Sequence, residues 1–381
     1  MANFYIHVPF CRKACHYCDF HFSTQLGYID KMLQSMAEEM RIRSDHWSDE
    51  MFHTLYLGGG TPSLLTLDQL TLLKENAYAH YRFSDTIEFT LEVNPEDVTL
   101  ERIKRWKNLG INRLSLGLQS FEDRDLTLMN RSHTAADSLH SLELAVAHFD
   151  RVSVDVIYGI PGQSDSILEA GVRRVVAMGT THLSAYALTV EPNTALARFI
   201  EKELVEDVDE EQSERQFLLI LDTLSDLGFD HYETSNFAIP GHYSINNSAY
   251  WKGTPYLGIG PSAHSFKGCR RSWNVAQNHK YMQAIAEEKP IFGSEDLSVK
   301  DRYNEFVMTS LRTIWGVSYS ELEQRFGVSY VHYFKMMITP FIVDALLFEE
   351  DGVVRATRKG KFLIDGIASD LFMIEINPAR K

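Results

Sequence analysis

The sequence predicts an α/β fold built on a parallel sheet, and three observations predict it. Six strand-like runs alternate with helical stretches through the first 235 residues. The residues able to do chemistry fall at the ends of those runs, and a composition of 44 % hydrophobic and 23 % charged residues is that of an ordinary globular protein. Phe4-Tyr5-Ile6-His7-Val8 is aromatic and β-branched and reads as the first strand. Tyr28, Ile29, Met32, Leu33, Met36 and Met40 recur at helical spacing. Thr54-Leu55-Tyr56-Leu57 is the second strand, followed by a helix that Thr66 or Asp68 caps. The alternation runs on through strand 87–93, helix 100–106, strand 112–117, helix 135–149, strand 152–157, helix 166–178 and strand 182–188. An acidic helical stretch from Glu201 to Leu227 and an extra strand at Phe229–Glu233 follow.

Such βα units imply parallel strands with right-handed crossovers. An open doubly wound sheet and a full or partial barrel both fit, and in both the chemistry collects at the C-terminal strand ends. Residues 236–299 form an aromatic, Asn-rich loop region that completes the core. Residues 300–381 form a smaller domain. Its helices include Tyr319–Phe326 and Tyr330–Ile338, the second ending ahead of Pro340. A hairpin over 346–357 turns at Asp351-Gly352, and helices followed by such a hairpin suggest a winged-helix-like α+β unit.

Cys11, Cys15 and Cys18 follow the first strand at the spacing C-x3-C-x2-C. Three thiolates on one loop can hold three irons of a four-iron cluster, which leaves one iron open to a ligand. Structural zinc wants four ligands, and no second C-x2-C or H-x3-H follows. Gly58-Gly59-Gly60-Thr61-Pro62 ends the second strand, and its missing side chains let backbone groups approach a ligand. It lacks the pattern of a phosphate P-loop. Glu92, Gln119, Arg131 and Asp155 follow on successive units, where carboxylates suit an ammonium or a ribose diol and arginine suits a carboxylate. The net charge of −15 argues against a nucleic-acid partner. Clustered cysteines without a disulfide framework, no secretory signal and no long apolar run point to a cytoplasmic protein, with membrane association only through a partner.

These residues resemble the radical S-adenosylmethionine (SAM) superfamily. Cys11-x3-Cys15-x2-Cys18, with Tyr17 before the last cysteine, resembles its signature, and Gly59-Gly60-Thr61-Pro62 resembles its glycine motif. Stretches 4–11, 91–95, 117–121, 155–161 and 256–263 narrow the likeness to the coproporphyrinogen III oxidase (dehydrogenase)-like group. The resemblance implies a partial (β/α)6 TIM-type barrel and a [4Fe-4S] cluster on Cys11, Cys15 and Cys18. It implies SAM on the open iron, an electron donor for the cluster, and reductive cleavage of SAM to a 5′-deoxyadenosyl radical. By motif position, Tyr5, Tyr17, Gly59, Gly60, Thr61, Glu92, Gln119, Arg131, Asp155 and Ala187 look like SAM-site residues.

Two branches of the group divide at one position. The oxygen-independent dehydrogenase, which decarboxylates two propionates of coproporphyrinogen III, carries a further cysteine two residues past the third and a sizeable N-terminal extension. Here that position is Phe20, and ten residues precede Cys11. Cys18-Asp19-Phe20 instead resembles the heme chaperone (HemW) branch, which binds heme and passes it to heme-accepting proteins. That branch carries a His-Asn-x-x-Tyr-Trp heme motif, and the matching stretch is Asn246-Asn247-x-x-Tyr250-Trp251. Asparagine is a poor axial ligand where His, Cys, Met or Tyr is usual, and His242 and His264 flank the stretch as substitutes.

Overall fold

A computed structural model describes residues 2–289 and 292–374. The outermost residues of the expected ranges, 1, 290–291 and 375–381, lie outside the described residues. β1 (Ala2–Val8), β2 (Met51–Gly59), β3 (Arg82–Val93), β4 (Arg113–Gln119), β5 (Arg151–Tyr158) and β6 (His182–Ala187) lie side by side and parallel. Their crossovers carry α1 (Ile29–Arg43), α2 (Leu67–His80), α3 (Leu100–Leu109), α4 (Asp123–Leu128), α5 (Ala135–Val146) and α6 (Asp165–Ala177). Local chemistry sets the helix ends. Thr66 and Gln69 form a capping box at α2, and Gly110 ends α3 at φ 97°, a left-handed conformation that glycine adopts without strain.

The sheet continues at both edges. α7 (Ala195–Glu201) and α8 (Glu210–Asp226) lead to β7 (Asp230–Glu233) and β8 (Asn236–Ala238), and β8 pairs antiparallel with β6. α9 (Ile245–Trp251) then returns the chain to the opposite edge. There β9 (Tyr256–Ile259) pairs parallel with β1. β10 (His264–Lys267) and β11 (Arg270–Asn274), then α10 (Asn278–Ala286) and β12 (Phe292–Asp296), follow, and these three strands extend the edge antiparallel. The order is β12-β11-β10-β9-β1-β2-β3-β4-β5-β6-β8-β7, a partial barrel with β7 and β12 at its ends.

Three expectations change. Residues 236–266 of the expected loop region are not loop: they hold α9 and the short strands β8, β9 and β10, with β9 parallel to β1. Runs of three or four residues are too short to show a period, and their pairing comes from distant strands. The acidic stretch expected to be helical over 201–227 is helical mainly from Glu210 on: α7 ends at Glu201, and Asp209 accepts hydrogen bonds from the amides of Glu211 and Gln212 and starts α8 afresh. The helix expected to stop before Pro340 runs through it, since Ile338 and Phe341 pack into the core of the C-terminal unit.

That unit comprises α11 (Val299–Leu311), β13 (Val317–Ser318), α12 (Tyr319–Phe326), α13 (Val328–Val343), β14 (Leu347–Glu350), β15 (Val353–Ala356), α14 (Arg358–Lys361) and α15 (Ile364–Asp370). It has its own three-stranded sheet, β13-β15-β14, and its own core around Tyr303, Leu322, Phe334 and Val354. Asp351 at φ 51° and Gly352 at φ 73° make the hairpin turn. The unit joins the barrel where Ile314 N–H donates to Tyr232 O at 3.1 Å and where Arg358 pairs with Asp222. No helix among the described residues is long and apolar enough to cross a membrane.

One buried charge ties the late strands to the early helix. Glu39 on α1 is fully buried. It accepts from Arg43 at 3.0 Å, Tyr281 at 2.6 Å, Asn274 at 2.7 Å and the Gly260 amide at 2.8 Å. Removing one member of such a set leaves the other charge unpaired in the interior. Glu39→Leu is therefore expected to lose about 3–5 kcal/mol in urea unfolding, whereas Glu38→Ala, which breaks only the exposed Glu38–Arg41 pair, should lose under about 1 kcal/mol.

Candidate functional site

The cysteine loop leaves β1 and is pinned at both ends by backbone. Cys11 N–H donates to Ser23 O at 3.1 Å, and Ser23 N–H returns to Pro9 O at 2.9 Å. In the middle, His16 N–H donates to Met129 O at 3.1 Å and Asn130 Nδ2 donates to Ala14 O at 2.7 Å. Arg12 pairs at 2.7 Å with the buried Asp97, which also receives Ser63 and Arg102. The loop thus sits on the ends of β2, β3 and β4 rather than swinging free.

The glycine turn meets this loop directly. Gly60 N–H donates to Val8 O at 2.9 Å and Thr61 N–H to Phe10 O at 2.7 Å. A Cβ on Gly60 would lie 2.6 Å from Phe10 O, and one on Gly59 would lie 2.5 Å from the His7 ring. Gly59 also sits at φ 106°. No other residue fits at either position without moving its neighbours. His7 itself is buried, and burial lowers its pKa to about 4, so it is neutral. Its Nε2 donates to His21 O at 2.8 Å, which leaves Nδ1 to accept from the Tyr5 hydroxyl at 3.1 Å.

Glu92 ends β3 beside the turn. It accepts from the Tyr56 hydroxyl at 2.8 Å and the Gly59 amide at 3.0 Å. Burial dominates and raises its pKa to about 7. Asp155 on β5 is raised for the same reason, against hydrogen bonds from Ser184 and Ser115. Arg131 donates to Asn94 Oδ1 at 2.8 Å and to Gly117 O at 3.1 Å, and its Nη1 reaches Cys15 Sγ at 3.5 Å. Gln119 closes β4 at φ 68°, an uncommon conformation for a side chain of this kind, and its amide lies over Gly117. Ala187 ends β6 opposite Tyr158. Tyr17 packs against the cluster of Leu126, Met129, Ile157 and Leu188, with Arg131 acting on its hydroxyl through space.

The three thiols act on one another electrostatically and none is in a disulfide. Burial raises Cys11 and lifts Cys18 to about 11, while the Thr61 hydroxyl bonds the Cys11 sulfur. Such thiols release protons on binding a metal. Among the described residues no three His, Cys, Asp or Glu side chains converge on a single ion position. Three cysteines that each take a different iron of one cluster need no such convergence, so the donor set fits a cluster better than a lone ion.

The expected SAM-site residues therefore share the C-terminal ends of β1 to β6 and the loops that follow. Of the expected heme residues, Tyr250 approaches this set, acting through space on Tyr5, while Asn246 is committed elsewhere. Asn246 is 3 % exposed on α9, its Oδ1 accepts from Thr54 at 3.1 Å and its amide donates to Glu88 at 3.1 Å. It anchors α9 beneath the barrel interior and offers no open ligand atom. Asn247 N–H donates to the Ser244 cap, Tyr250 stands edge-on to Tyr256, and Trp251 hydrogen-bonds Glu233. His242 follows β8 and exposed His264 starts β10, towards opposite ends of the sheet. Sequence reasoning missed His7, Tyr56, Asn94, Asp97 and Asn130. Tyr56 was findable: it precedes Gly58 by two, on the same strand face. Asp97 and Asn130 carry no such signal.

Comparison with known proteins bears on this geometry. The profile of the radical SAM superfamily matches residues 5–175, and that of the HemN C-terminal domain matches residues 297–363. The chain is 32 % identical to a heme chaperone HemW of Bacillus subtilis, over 95 % of this chain and 97 % of that protein. It is 33 % identical to a heme chaperone HemW of Mycobacterium tuberculosis, over 96 % and 94 %. A solved structure of coproporphyrinogen III oxidase (HemN) from Escherichia coli, a radical SAM enzyme, superposes with a TM-score of 0.85 at 24 % identity, covering 98 % of this chain and 90 % of that one. That likeness bears on the fold.

The raised Glu92 has a thermodynamic consequence. Between the ordinary value of 4.5 and about 7 the folded chain holds a proton that the unfolded chain has released. Stability therefore falls as pH rises through that window, and the loss is complete above it. In cluster-free protein, Glu92→Gln is expected to exceed the parent in urea stability by about 1–3 kcal/mol at about pH 8 and to match it at about pH 4.

Proposed function

The chain belongs to the heme chaperone (HemW) branch of the radical SAM superfamily, and from that premise we propose that it is a cluster-bearing protein that binds heme and hands it to heme-accepting proteins. The observation that carries the reading is the full-length likeness to proteins of that name, together with Phe20 in the position that separates the branches. Phe20 is 69 % exposed beside the cysteine loop, so no fourth thiol stands there to serve decarboxylation chemistry.

Cys11, Cys15 and Cys18 would hold a [4Fe-4S] cluster. A bound cluster would supply one electron to the sulfonium of SAM, breaking its C5′–S bond to leave methionine and a 5′-deoxyadenosyl radical. This chain's own residues bind and orient. The Gly59-Gly60 backbone offers its edge to the ligand's amino group, as only side-chain-free positions can. Glu92 and Asp155 suit the ammonium and the ribose diol, and Arg131, held by Asn94, suits the carboxylate. Gln119, Thr61, Tyr5, Tyr17 and Ala187 line the same strand ends. Since burial favours neutral Glu92 below about pH 7, a cationic ligand beside it would pull the proton off and restore the carboxylate.

Three outcomes test this reading. In anaerobically reconstituted protein, Cys15→Ala should lose the broad brown cluster absorption and SAM cleavage together; a full cluster in the variant would refute the ligand set. Parent protein should retain stoichiometric hemin through gel filtration, whereas no retained hemin would rule out the chaperone reading. Asn246→Ala should leave that retention within about twofold, because the Asn246 side chain is occupied by Thr54.

A further inference from the structure

A cleft of about 370 Å³ opens between the barrel and the C-terminal unit, remote in sequence from the cysteine loop. That is the size of a small-molecule site. Its walls are apolar at Leu221, Ile314, Phe348 and Ile364. Around them stand Arg312, Arg355, Arg358 and Lys361, with Asp222 as the acidic lining residue. In a chain of net charge −15 this is a local reversal of sign.

The cations are not all spent on the protein. Arg358 is paired with Asp222 at 2.6 Å and Arg312 with Asp365 at 2.6 Å. Among the described residues Arg355 gives only its Nε, to Ile314 O at 2.8 Å. Lys361 makes no side-chain hydrogen bond or ion pair among the described residues. The carboxylate acting on it through space, Asp230, is already taken by the Tyr243 hydroxyl at 2.5 Å. Burial lowers the pKa of Lys361, so the cleft holds a half-buried ammonium short of a counter-charge.

A second unfilled group lies alongside. His231 lines the cleft, is 8 % exposed and stacks on Phe237 at 4.4 Å. Its Nε2 donates to Thr234 O at 3.1 Å, which leaves Nδ1 as a buried acceptor with no partner. Buried polar atoms without partners are uncommon and call for an explanation.

We propose that this cleft is a porphyrin site, in which a flat apolar ring rests on Leu221, Ile314, Phe348 and Ile364 and a propionate pairs with Lys361 and the free end of Arg355. The proposal rests on the heme reading above and deepens it by moving the ligand from the α9 motif to the junction of the two units. An apolar wall beside unpaired cations is what an amphipathic anion requires: the wall takes the ring out of water and the cations take the carboxylates. Because His231 comes from β7 and Lys361 from α14, both units contribute to the site.

Hemin binding to the full chain, followed by absorption titration, tests the proposal, with Lys361→Glu and Lys361→Arg beside the parent. Lys361→Glu is expected to weaken binding by about tenfold or more, and Lys361→Arg to stay near the parent. Amine-reactive labelling of the parent, read by mass spectrometry, should slow at Lys361 when hemin is added; this arm needs no variant. Parent binding that survives Lys361→Glu unchanged, or unprotected Lys361 in hemin-loaded parent, would overturn the cleft and leave the heme reading standing. A parent that binds no hemin would overturn both.

Discussion

The site depends on one steric constraint, the closeness of the glycine turn to the cysteine loop. Gly60 touches the backbone of Phe10 where a Cβ would collide, and the amides of Gly60 and Thr61 close on the carbonyls of Val8 and Phe10. Two loops from neighbouring strands thereby become one hydrogen-bonded surface. The Thr61 hydroxyl then reaches the Cys11 sulfur, and the Gly59 amide reaches Glu92. Thiols, backbone donors and carboxylate keep fixed mutual positions because there is no side chain between the strands to pry them apart.

Burial sets the electrostatics of the same region. Glu92 and Asp155 both sit where their charged forms are disfavoured, and neither has an arginine in bonding contact. A cationic ligand would supply the opposite charge that burial withholds from both carboxylates. Arg131 is treated differently: Asn94 and the Gly117 carbonyl hold it in a neutral cradle that spares its charge for an anion or a thiolate. Pre-placed groups of this kind reduce the ordering cost of binding.

Below the site the barrel interior stays polar. Ser153 bonds His182 at 2.6 Å and His182 bonds Tyr232 at 2.7 Å, so a buried chain of side chains leads down to the junction with the C-terminal unit. Tyr232 stacks on Tyr243 and meets Trp315 there. The α9 stretch that resembles a heme motif lies in this lower half, with Asn246 committed to Thr54 and Glu88. Its commitment explains why the open cations of the interdomain cleft, rather than Asn246, are the better setting for an anionic ring.

The six strands, the cysteine spacing and the glycine turn were legible because each is local: a period of two, a spacing within eight residues, three consecutive glycines. Glu92, Gln119 and Asp155 were legible by extension, since a parallel sheet brings strand ends to one edge. What stayed hidden was non-local. Asp97 reads as a helix-flanking acid until Arg12 arrives from 85 residues away. The strand Tyr256–Ile259 reads as loop until β1 supplies its partner. Pro340 reads as a helix stop until the core around Phe334 holds the helix on. The sequence by itself determined the alternation and the spacing of the three cysteines, because periodicity and spacing are properties of a short stretch of chain. Only the tertiary structure decided which charges are paired, which glycines have no room and which cations are left facing a cleft, because those depend on what distant segments bring alongside.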